Sequence, residues 1–119
     1  MAHMPSTGVS GVDILSNYQG NKWEPIQSQY SFNSAQKKVV YKFHESRKSD
    51  QNKGYEYRLY LPLYNTINEL KIEVKDNSLF ELIKKDNSLP IVIYGTSIVQ
   101  GCCSSRPILS WSNLVQLHF

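Results

Sequence analysis

From Val12 onward the apolar residues of this chain fall at alternate positions over short stretches, the period of strands half-buried in a sheet. Lys37 to Phe43 (KKVVYKF) is one such stretch, and Tyr55 to Tyr64 (YEYRLYLPLY) reads as its partner. The intervening HESRKSDQNKG is a polar turn of the kind that closes a long hairpin. In the second stretch Tyr57, Leu59, Leu61 and Leu63 share one face, and Arg58, Tyr60, Pro62 and Tyr64 share the other. Pro62 has no N–H to donate to a ladder, so its end of the strand is expected at an edge or a bulge. The most regular alternation is Ile67 to Lys75 (INELKIEVK), with Leu70, Ile72 and Val74 on one side and Lys71, Glu73 and Lys75 on the other. Asp76-Asn77-Ser78 reads as a turn, and Leu79 to Ile83 fits either a strand or one helical turn. Short strands at this spacing predict a mainly β chain, with an antiparallel β-sandwich of jelly-roll type over residues 9–86.

The texture changes after Asp86-Asn87-Ser88. Leu89 to Tyr94 (LPIVIY) is a continuous apolar run without alternation, as in strands of a parallel sheet covered on both faces. GTSIVQGCCSSR follows, and a helix is expected from Pro107. Proline suits the first helical position, and Ser105 is placed to cap it. Ile108, Trp111, Leu114, Val115 and Leu117 give that helix an apolar side, with Trp111 read as core. The pattern runs into Phe119 without the glycine or cationic last turn of an ordinary helix end, so a chain cut short is expected, with self-association through the uncovered helix. Residues 89–119 thus read as the first βα unit of a second, α/β domain. Residues 1–8 read as a tag and disordered lead-in: Ala2-His3-Met4 resembles vector residues, and PSTGVSG is small and polar.

Composition narrows the function classes. Thirteen Lys and Arg against ten Asp and Glu give a net charge of only +3. Nucleic-acid binding needs a denser footprint, and the nearest cluster, Lys42, Arg47, Lys48 and Lys53, is interrupted by Glu45 and Asp50. No run of about 18 apolar residues suggests a membrane span, and no signal peptide is visible. The two cysteines, Cys102 and Cys103, are adjacent, so no disulfide framework is expected. They lack the spacing and neighbouring His or Asp of a zinc site, so neither metal nor cofactor is expected.

The chemistry concentrates at Gly95-Thr96-Ser97. Ligands of open α/β sheets bind beyond the carboxyl ends of the strands, and a glycine there lets the backbone turn sharply. A serine so placed presents its Oγ as a nucleophile, and its own N–H can join an oxyanion hole. A serine after a strand is also an ordinary turn former or helix cap. After Ser97 the chain contains no Asp or Glu, so a Ser…Asp…His order is not completed within it. His3 belongs to the tag region, His44 to the polar hairpin end, and His118 to the far end of the last helix. Without a base, Ser97 is an ordinary alcohol.

Gly95 to Pro107 (GTSIVQGCCSSRP) resembles the first conserved block of SGNH/GDSL hydrolases, in the form G-[ST]-S-I-x-Q-G-x-C-A-S-R-P. Tyr57 to Val74 is similar to the β-sandwich domain that precedes the hydrolase domain in one bacterial subgroup, and Ser10 to Trp23 is similar to its opening. Cys102 and Ser104 stand where that subgroup has small residues, and Ile108 where glycine is common. The resemblance implies a serine esterase with a flavodoxin-like hydrolase domain, acting on an ester or acetylated carbohydrate. It implies that Ser97 is the nucleophile and one backbone oxyanion donor, with Gly95, Thr96, Gln100 and Arg106 as binding residues. The remaining donors, a Gly and an Asn, and the Asp and His of an Asp-x-x-His motif belong to later blocks unmatched here. These 119 residues alone are therefore expected to be inactive, and family habit implies secretion or a periplasmic location.

Each of the remaining candidates has two readings. Cys103 fits packing better than nucleophilic chemistry, since only Arg106 is near to lower its pKa. Arg106 is either a substrate-facing donor or an anchor of its loop through backbone carbonyls. Trp23, Tyr55, Tyr57, Tyr60 and Tyr64 form either a sugar-stacking platform or core and cross-strand pairs. The first alternative in that last case makes the β-domain a non-catalytic module that binds glycan or packs on a partner domain.

Overall fold

A computed structural model of the chain describes residues 3–18, 20, 22–26, 28–29, 38–43, 55–84 and 87–118. Its centre is β1 (Asp13–Tyr18), a strand buried along almost its whole length. β2 (Glu24–Pro25) lies antiparallel on one side and β5 (Tyr55–Tyr60) on the other, giving the order β2-β1-β5. Leu15 stands opposite both Pro25 and Arg58, Ser16 opposite Glu24 and Tyr57, and Asp13 opposite Tyr60. Side chains alternate to opposite faces, so the burial of Leu15, Ser16 and Asn17 in succession means that both faces of β1 are covered here. Leu15 is only 1% exposed, and Asp13, Ser16 and Asn17 are buried beside it.

The mainly β, antiparallel character read from the sequence is present; the pairing differs. β3 (Ser28–Gln29) pairs with β4 (Lys42–Phe43), with Ser28 opposite Phe43. The expected strand from Lys37 to Phe43 is thus limited, in the described residues, to its last two positions. Its partner is β3, while the expected partner, β5, is taken by β1. The polar loop from His44 to Gly54 lies outside the described residues. β5 ends at Tyr60, just before Leu61-Pro62, as the missing proline donor requires. Of its two faces, the one carrying Arg58, Tyr60, Pro62 and Tyr64 is the covered one, and Tyr57 and Leu61 point to solvent. The reason is local. Arg58 stacks over the Trp23 ring at 4.1 Å, and the Tyr60 hydroxyl donates to Gln116 Oε1 at 3.4 Å.

Two expected strands are absent from the sheet. Residues 67–75 and 89–94 make no ladder, and Leu70, Ile72 and Val74 are about half exposed. Leu89 is 93% and Tyr94 99% exposed. Alternation and apolar runs specify strands only where another surface covers them, and none of the described residues does so here. The turn at Asp76-Asn77-Ser78 does form: Asn77 is left-handed (φ 64°), and the Ser78 N–H donates to Lys75 O at 3.1 Å.

The chain's two ends meet against β1. Residues 5–11, expected as a loose lead-in, contain the short helix α1 (Ser6–Ser10). Pro5 O accepts from the Gly8 and Val9 N–H groups, and Thr7 O accepts from Gly11 N–H. Gly8 has to be glycine, because a Cβ there would lie 2.0 Å from Ser104 O. Thr7 Oγ1 donates to Ser105 O at 2.6 Å across the same contact. Met4, read from the sequence as a vector residue, is buried with Val12, Leu15 and Tyr60. At the other end, Pro107–Leu109 forms a 3₁₀ turn and Trp111–Gln116 forms α2. The single helix expected from Pro107 is therefore split at Ser110, which is extended (ψ 143°) and fully buried. Arg106, not Ser105, precedes the 3₁₀ turn. Trp111, expected in the core, is 39% exposed. No helix of the described residues is long and apolar enough to cross a membrane.

Candidate active site

Ser97 lies on a tight series of turns spanning residues 96–103. Gln100 N–H donates to Thr96 O (3.1 Å), Gly101 N–H to Ile98 O (3.0 Å) and Cys102 N–H to Ser97 O (2.8 Å). Gly101 makes the reversal possible: its φ is +98°, and a Cβ there would press to 2.7 Å from Ser110 Cβ. Three side chains fasten the turn from outside. The Tyr64 hydroxyl donates to Ser97 O at 3.0 Å, Gln100 Nε2 donates to Leu63 O at 2.7 Å, and Trp111 Nε1 donates to Ile98 O at 3.1 Å. The Ser97 carbonyl is thus fixed by two donors while its side chain faces solvent. Among the described residues no side chain hydrogen-bonds to Ser97 Oγ, so nothing in them activates the hydroxyl.

The loop after the turn is held by one buried carboxylate. Asp13, at the start of β1 and 3% exposed, accepts from Arg106 Nε at 2.8 Å and from Arg106 Nη2. Its other oxygen takes the Ile108 N–H at 3.0 Å, the free donor at the start of the 3₁₀ turn. Both guanidinium donors converge on Oδ1, a charge-assisted contact stronger than a neutral hydrogen bond. Arg106 is thereby anchored by a side chain rather than by backbone carbonyls. Asp13, Pro25, Arg106, Ile108 and Leu109 line a shallow cavity at this junction.

Of the residues singled out in the sequence, Thr96, Ser97 and Gln100 share one turn, with Gly95 leading into it, and Arg106 is drawn off toward β1. His118 follows α2 at the surface, its N–H on Val115 O, and His44 is outside the described residues. The aromatic platform divides. Tyr55 lies 4.8 Å from Tyr18 and 6.2 Å from Tyr57 between ring centres, Trp23 lies under Arg58, Tyr60 is buried, and Tyr64 reaches the Ser97 turn. Cys102 and Cys103 bring their sulfurs to 3.3 Å. The hydrogen bond to Cys102 raises the Cys103 pKa, with desolvation and the charge of Cys102 adding to it. Desolvation chiefly raises that of Tyr64, followed by the charge of Cys102, a hydrogen bond to it, and the charge of Cys103. Asp13 went unnoticed in the sequence. The available signal was an acidic residue set among Val12, Ile14 and Leu15, where a lone carboxylate needs a partner.

Two family models match the chain in succession. Residues 1–80 match the family described as the N-terminus of SGNH-hydrolase-type esterases, named GxDLY, and residues 88–119 match the GDSL-like lipase/acylhydrolase family. The first match spans most of the chain, which therefore belongs to the SGNH-type esterase family through its N-terminal region. No curated protein and no solved structure matches the chain.

Proposed function

We propose that this chain is the front portion of a serine ester hydrolase in which Ser97 is the nucleophile. The observation that carries the reading is the position of Ser97: exposed, on a turn braced from three sides, within the residues that match the GDSL-like lipase/acylhydrolase model. In this reading Ser97 Oγ attacks the ester carbonyl and gives its proton to a histidine supplied from outside these 119 residues. The tetrahedral oxyanion is held by the Ser97 N–H together with further donors. Collapse expels the alcohol, and water then cleaves the acyl-enzyme. Gly95, Thr96 and Gln100 border the acyl group, while Arg106, tied to Asp13, fixes the loop that follows.

The finer fold belongs to the same proposal. Residues 9–86 complete a β-sandwich and residues 89–119 open a flavodoxin-like domain once their apolar side chains are covered. Uncovered, as in this chain, they favour self-association. The substrate is an ester or acetylated carbohydrate, and the site of action is outside the cell or in the periplasm. The test is hydrolysis of an aryl acetate by this chain, by a chain extended through a hydrolase domain, and by Ser97→Ala in both. Activity is expected only in the extended chain, falling by at least about 10³-fold in Ser97→Ala, to what binding and the oxyanion donors supply. Equal activity with and without Ser97 would overturn the proposal.

The ring cluster of Tyr18, Tyr55 and Tyr57 supports a second reading, a glycan-binding module. It expects oligosaccharide binding that Tyr57→Ala removes and Ser97→Ala leaves unchanged.

A further inference from the structure

Adjacent side chains on extended backbone point to opposite sides, which makes neighbouring cysteines poor chelators. Cys102 and Cys103 escape this rule. Cys103 is left-handed (φ 68°), a conformation uncommon outside glycine, and it turns both sulfurs to one side, 3.3 Å apart. Linear spacing offers this pair no third donor, because His3 lies about a hundred positions away and reads as part of a tag. The fold brings it back. Met4 is buried in the core, and the ligand atoms of His3, Cys102 and Cys103 all lie within 4.8 Å of one another.

We propose that His3, Cys102 and Cys103 form a three-donor site for a thiophilic d¹⁰ cation of the Zn²⁺ class. Sulfurs about 2.3 Å from a tetrahedral zinc stand roughly 3.8 Å apart, so the pair needs to open by only about half an ångström. The competing fate, a disulfide between the two, fits less well. Adjacent Cα atoms are about 3.8 Å apart, below the roughly 4.4 Å at which disulfides begin. Two thiolates and a neutral imidazole would balance the two positive charges of the ion, giving a site of zero net charge with the fourth position open to water. Binding displaces up to two thiol protons into solvent. Because Cys102 N–H donates to Ser97 O, an ion held here also stiffens the Ser97 turn from its far side. The site does not depend on the catalytic reading and is tested without activity.

The reduced, metal-free chain is titrated with Cd²⁺, reading the thiolate-to-metal absorption in the ultraviolet, and with Zn²⁺ by calorimetry. One ion per chain is expected. Cys102→Ser/Cys103→Ser removes the absorption band, and His3→Ala weakens affinity by at least about tenfold, since losing a direct ligand should cost no less than losing a residue that orients one. Circular dichroism confirms that both variants remain folded; Cys103 and His3 are exposed, so the fold does not rest on them. No one-to-one band, or the same affinity in the double variant, overturns the site. Undiminished affinity in His3→Ala overturns the three-donor assignment.

Discussion

Two stretches of this chain are rich in apolar side chains, and only one of them buries those residues. Around β1, which lies between β2 and β5, Val12 and Leu15 are buried. Between Ile67 and Ile98, side chains of the same chemistry (Leu79, Leu82, Leu89, Val92) stand largely in solvent. The difference is in what crosses the stretch. β1 has a paired strand on each edge and is joined to the far end of the chain through Asp13 and Arg106, while its neighbours add Thr7 on Ser105 and Tyr60 on Gln116. The uncovered stretch has a surface ion pair, Lys71 with Glu69 at 3.0 Å, which contributes little. Hydrophobic residues supply the driving force for burial; long-range polar contacts decide where it is realised.

That contrast can be broken most severely at Leu15. Leu15→Ala removes a fully buried side chain from the central strand and is expected to destabilise the chain by about 3 kcal/mol, measured by urea unfolding. Arg106→Ala comes next. It leaves the buried Asp13 carboxylate with the Ile108 N–H but no cation, for a loss of about 2 kcal/mol, discounted because Arg106 is itself partly exposed. A loss of under about 0.5 kcal/mol in the same unfolding experiment would show that Asp13 is not the fastening point. The smallest effect sharpens the comparison from the other side. Val92→Ser, in the uncovered stretch, should change stability by no more than about 0.5 kcal/mol, and amides 89–94 should exchange hydrogen far faster than those of β1.

How much of this was legible in the sequence follows the same division. The β character, the Asn77 turn and the family itself could be read, because each depends on local chemistry or on a linear motif, whereas β5 stops at Tyr60, short of the Tyr64 expected. The strand partners could not. Lys42–Phe43 pairs with Ser28–Gln29, and nothing in the two-residue match Ser28-Gln29 marks it as a strand. Residues 67–75 and 89–94 carry correct strand patterns with nothing to complete them, so period alone misplaced them. The motif marks Thr96, Ser97 and Gln100 as neighbours, whereas Asp13 holds the following loop and Trp111 the turn through space. Trp111 was assigned to the core on helical period, yet the break at Ser110 turns its indole N–H onto Ile98 O.

The bond between Asp13 and Arg106 spans 93 positions, and this has a consequence for the order in which the molecule can be made. On a ribosome adding about 5 to 20 residues per second, β1 emerges roughly 5 to 20 seconds before the arginine that neutralises it. During that interval a carboxylate destined for burial has no partner, so the strand that organises the sheet cannot settle early. β1 is therefore made well before it is secured, and conditions that slow elongation lengthen its exposure to wrong partners.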